Sequence, residues 1–86
     1  MDLYTQMGKE LREVFKDLFD PSRRAVAKEK MSDILDTAAQ IGGPIEMEAE
    51  LLYMDLLRFI DHPNDEMCIK IMKEHAMRLE QETREL

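Results

Sequence analysis

Three short interruptions do most to limit what this chain can fold into. They are DPS at 20–22, GGP at 42–44 and DHPN at 61–64. Between them lie four stretches in which apolar residues recur three and four apart, the spacing of one helical face. No stretch alternates apolar and polar residues as a half-buried strand would.

The expected elements follow from this punctuation. The first helix spans about 2–19, with Leu3, Met7, Leu11, Val14 and Leu18 on one face and Tyr4, Phe15 and Phe19 widening it. Gly8 interrupts it at a cost of about 1 kcal/mol relative to alanine, which suggests a close approach by another helix. Asp20 is placed to cap, and Pro21 has the preset φ of a first helical position. A second helix spans 22–41 on the face Ala27, Met31, Ile34, Leu35, Ala38 and Ile41. Gly42 suits the left-handed position that ends a helix, and Pro44 cannot continue the same helix. A third helix spans 44–60. In DHPN, Pro63 pushes its predecessor away from helical angles, and Asn64 is a good cap for a fourth helix over 65–82. That helix presents Cys68, Ile71, Met72, His75, Ala76 and Leu79, and its polar end is expected to fray after Leu79. Short connections between four amphipathic helices imply an all-α, compact antiparallel bundle as a single domain.

The third helix asks more than a bundle requires. Projected at about 100° per residue, Ile45, Ala49, Leu52, Leu56, Phe59 and Ile60 form a core stripe, extended by Tyr53 and Leu57. Met47, Leu51 and Met54 lie on the far side, with Arg58 completing their line. Acids edge this second stripe: Glu50 on one side, Glu48 and Asp55 on the other. A central helix touching neighbours on both sides would explain two apolar faces; so would an exposed seam made for a second copy or another protein. Eight methionines in 86 residues favour the seam, since methionine is over-used at adaptable binding surfaces. Met67 and Met77 also fall off the main stripe of the fourth helix.

Charge narrows the partner class. The formal net charge is −7, and residues 44–61 alone carry five acids against one arginine. Such a surface repels a phosphate backbone or an anionic membrane and favours a basic protein partner. A helix-turn-helix reading of DTAAQIGGPIEMEAELL meets the same objection: Glu46, Glu48 and Glu50 would stand at the start of the groove-reading helix. Direct nucleic-acid binding is therefore not expected. The acids suggest an alternative role, in which Glu46, Glu48, Glu50, Asp55 and Asp61, with Glu80, Glu82 and Glu85 as a second patch, imitate nucleic acid and block a protein that binds it, such as a host-defence nuclease. Arg23, Arg24, Lys28 and Lys30 form the one basic cluster, read either as the complement of an acidic patch across a self-association interface or as merely solvated.

Catalytic patterns are missing. Neither His62 nor His75 follows a glutamate at the spacing of di-iron bundles, and there is no HExxH or calcium loop. Cys68 and His75 are seven residues apart, about 10.5 Å along a helix and too far for a nucleophile–base pair. His75 reads as a partly buried or capping residue, His62 as a solvated turn residue, and Cys68 as core. Neither a catalytic site nor a cofactor or metal is expected. A single cysteine suits a reducing, cytoplasmic setting. MDLYTQMGKE lacks the basic region and apolar run of a signal peptide, and no stretch approaches the roughly 20 apolar residues of a membrane span. The expected protein is a non-catalytic protein-protein interaction module, a homodimer that regulates or inhibits a larger partner. A structural subunit of a larger assembly is a further alternative.

Overall fold

A computed structural model describes residues 3–84; Asp2, in the first expected helix, and Glu85, in the second acidic patch, lie outside them. The described residues form four α-helices: α1 Leu3–Leu18, α2 Arg24–Ile41, α3 Gly43–Asp61 and α4 Glu66–Arg84. A 3-10 turn, Pro21–Arg23, leads into α2. Each helix packs against two others, in the ring α1–α2–α3–α4–α1, with the α1–α4 seam the narrowest. This is the all-α four-helix bundle that the punctuation implies.

The breakers act locally as their chemistry dictates. Asp20 accepts hydrogen bonds from the Ser22 backbone N–H at 3.1 Å and from Ser22 Oγ at 2.7 Å, with Pro21 directly after it. Gly42 ends α2 at φ 76° and ψ −171°, and its N–H donates to the Ala38 carbonyl. That backbone region is essentially reserved for glycine. Gly43 also has positive φ, 63°.

Two helix ends differ from expectation. Asp65, not Asn64, caps α4, accepting from the N–H of Met67 at 2.9 Å and of Cys68 at 3.3 Å. Both residue types can cap; α4 begins at Glu66, so the cap falls on the residue immediately before it. At the other end α4 does not fray after Leu79 but runs to Arg84. Arg12 of α1 holds Glu80 at 3.3 Å, and Thr83 Oγ1 donates to the Glu80 carbonyl at 2.6 Å.

The core sits on the axis of the ring. Met7, Leu11, Val14 and Leu18 of α1, Ala27, Met31, Ile34 and Ala38 of α2, Ile45, Ala49, Leu52, Leu56 and Phe59 of α3, and Met72 and Leu79 of α4 are all buried in one cluster. Leu3, the outermost apolar residue of α1, is exposed. Phe19 lies beyond the end of α1, half exposed, with its ring edge-on to Phe59 at 5.4 Å. Lys73 lies over Phe19 and Arg24 over Phe59, at 5.7 and 5.4 Å from the ring centroids. Cations over ring faces in this range are attracted by the aromatic quadrupole. Gly8 faces the end of α4, but an added Cβ would come no nearer than 4.0 Å to Thr83 Oγ1, so the packing does not require a glycine there.

Candidate protein-interaction surface on α3

The core stripe of α3 is turned inward by contacts with α2 on one flank and α4 on the other. That orientation leaves the opposite stripe outward. Met47 is 64% exposed, Leu51 39% and Met54 60%, and Arg58 is exposed beside them. Among the described residues these side chains are left open to solvent, Leu51 the least so. With Pro44 before and Asp61 after, both exposed, the line runs 44, 47, 51, 54, 58, 61. Steps of three and four are those of a helix seam that packs on another helix.

The acids around the stripe do not form the continuous row their sequence suggests. Asp55 is 9% exposed. Its Oδ2 meets Nδ1 of His75 across the α3–α4 seam, so it belongs to the interior and not to a surface patch. A single-helix projection places Asp55 beside the stripe, but α4 approaches that flank and covers it. Glu46 and Glu48 are half-buried, and of the four only Glu50 is exposed. One carboxylate oxygen of Glu48, Oε2, is buried without a hydrogen-bond partner among the described residues. Glu46 stands in the first turn of α3, where the helix dipole favours negative charge. Arg58 stands in the last turn, where it favours positive charge, and makes no ion pair among the described residues.

The basic cluster is mostly committed elsewhere. Arg23 Nε donates to Asp17 Oδ1 at 2.8 Å, and Lys30 Nζ to Asp17 Oδ2 at 2.9 Å. Lys30 also lies 3.7 Å from Glu13, and Arg24 Nε donates to the Leu18 carbonyl at 3.1 Å. The hydrogen bond from Lys30, and then that from Arg23, hold the Asp17 carboxyl below its ordinary pKa; the same contact raises Lys30. Sequence reasoning did not pick out Asp17, a buried acid on the inner side of α1. Its position three residues after Val14, on the core face, was the available signal.

Cys68 is buried, and burial first, then its hydrogen bond to Asp65, pushes the thiol up. A thiol held protonated is a poor nucleophile. Among the described residues no three His, Cys, Asp or Glu side chains are grouped as metal ligands would be, and no helix is long and apolar enough to cross a membrane. Searches against protein-family models, curated proteins and solved structures find no match to this chain.

Proposed function

We propose that this chain is a non-catalytic protein-binding module that self-associates through the outward face of α3 and regulates or inhibits a larger partner. The observation that carries the reading is the exposure of Met47, Leu51 and Met54 together, on a helix whose other apolar face is already buried. Burying them removes apolar surface from water.

Magnitudes set the character of such an association. At their present exposure each of these side chains gains about 1–2 kcal/mol on burial. Six across a symmetric pair therefore give roughly 6–12 kcal/mol, against an association cost of about 4–15 kcal/mol. The apolar stripe alone supports a weak, concentration-dependent dimer. A face of that strength is readily given up to a better-matched partner, which suits a regulator. The acidic-mimic alternative needs an exposed row of carboxylates, and the burial of Asp55 breaks that row.

Light scattering over a concentration series tests the reading. Wild type should rise above monomer mass with concentration, while Met54→Glu stays monomeric with an unchanged melting temperature. Two species of equal mass at every concentration would remove self-association from the account.

A further inference from the structure

We infer that the occupant of the α3 face is α3 of a second copy, running antiparallel, with the two-fold axis between Leu51 and Met54. This rests on the self-association reading above and specifies its geometry. The seam positions 44, 47, 51, 54, 58 and 61 are symmetric about that point: Leu51 faces Met54, Met47 faces Arg58, and Pro44 faces Asp61 of the other copy.

Charge selects this direction over the parallel one. Three of the five acids of α3, Glu46, Glu48 and Glu50, stand in its first half, while Arg58, its one basic residue, lies near its end. A parallel pair would set each glutamate beside its own copy and Arg58 beside Arg58, which is repulsive throughout. An antiparallel pair brings Arg58 to the flank of Met47 and Leu51, between Glu48 and Glu50 of the other copy. Its aliphatic stem covers Met47 while its guanidinium meets carboxylate. Glu48 is already in deficit, with one oxygen buried and unbonded, so a rotation outward onto a cation relieves a cost. Asp61 reaches the opening turn of the other α3, which begins at Gly43 and has the positive end of a helix dipole. One arrangement thus matches the apolar centre, the one arginine of α3 and both helix ends.

Disulfide trapping in a Cys68→Ala background tests the geometry, with sedimentation of the untrapped protein measured alongside. In the antiparallel pair, positions 47 of the two copies are offset by 11 residues, about 16 Å along the axis, beyond the reach of a disulfide. Met47→Cys alone should therefore give no covalent dimer, and a mixture of Met47→Cys with Arg58→Cys should give the mixed dimer. A Met47→Cys covalent dimer would overturn the antiparallel arrangement and leave self-association standing. A sedimenting dimer in which neither pair is trapped would overturn α3 as the meeting face. Monomers throughout would overturn both.

Discussion

Nδ1 of His75 on α4 meets Oδ2 of Asp55 on α3, in a pair mostly withdrawn from solvent. A carboxylate only accepts, so Nδ1 carries the hydrogen. The contact joins α3 to α4 on the flank that the core stripe of α3 already turns inward. With Asp55 held inward, Leu51 and Met54 are left on the open side.

Removing that acceptor should cost the bundle its α3–α4 register. Asp55→Ala leaves the imidazole N–H without a partner in a half-buried seam and should destabilise by about 1–3 kcal/mol. Asp55→Asn keeps a carbonyl acceptor and should cost less. Urea unfolding at neutral pH measures both; an Asp55→Ala protein as stable as wild type would show that the pair contributes nothing.

Asp17 should make stability depend on acidity. Its folded pKa is lowered by the hydrogen bonds from Lys30 and Arg23. A carboxyl lowered on folding contributes stability that is fully present above its unfolded pKa and is lost as pH falls through the folded value. The Lys30 partner is raised, so its share is present below its unfolded pKa and is lost only as pH rises through its folded value. The stability difference between wild type and Asp17→Asn should therefore be constant from weakly acid to weakly alkaline pH and shrink below the ordinary carboxylate range. Denaturation midpoints at a series of pH values check this; a difference that grows on acidification would reverse the sign of the argument.

Two glycines should respond oppositely to alanine. Gly8 lies inside α1 with room for a Cβ, so Gly8→Ala should stabilise by about 1 kcal/mol through helix propensity. Gly42 also has open space around it, but its φ of 76° with ψ −171° excludes a side chain at low cost. Gly42→Ala should destabilise by about 1–3 kcal/mol from backbone strain alone. Thermal melts of the two variants separate the steric from the conformational role of glycine in this chain.

Much of the fold was readable from local chemistry. Asp20, Pro21, Gly42 and Pro63 bound the helices where their backbone preferences require, and the core faces of α1, α2 and α3 followed from spacing alone. Asp55 was misplaced because the periodicity of one helix does not reveal which flank a neighbour will cover. The complementary signal was His75, a polar residue within the apolar stripe of α4, which needed a partner from another helix. Asn64 and Asp65 both cap well, and only the start of α4 at Glu66 decides between them. The end of α4, up to Arg84, is tied to α1 by Arg12, 68 residues from its partner Glu80, a contact that the spacing of residues 80–84 does not announce.

On the proposed self-association, the outward stripe of α3 meets a second copy of itself. Methyl NMR of the methionines, followed across a dilution series, reads that directly. Met47, Met54 and Met77 are 64%, 60% and 70% exposed, so solvent contact alone does not distinguish them. The methyl signals of Met47 and Met54 should shift with concentration while that of Met77 on α4 stays fixed. Signals that all stay fixed, or a shift at Met77 without one at Met47 and Met54, would contradict it.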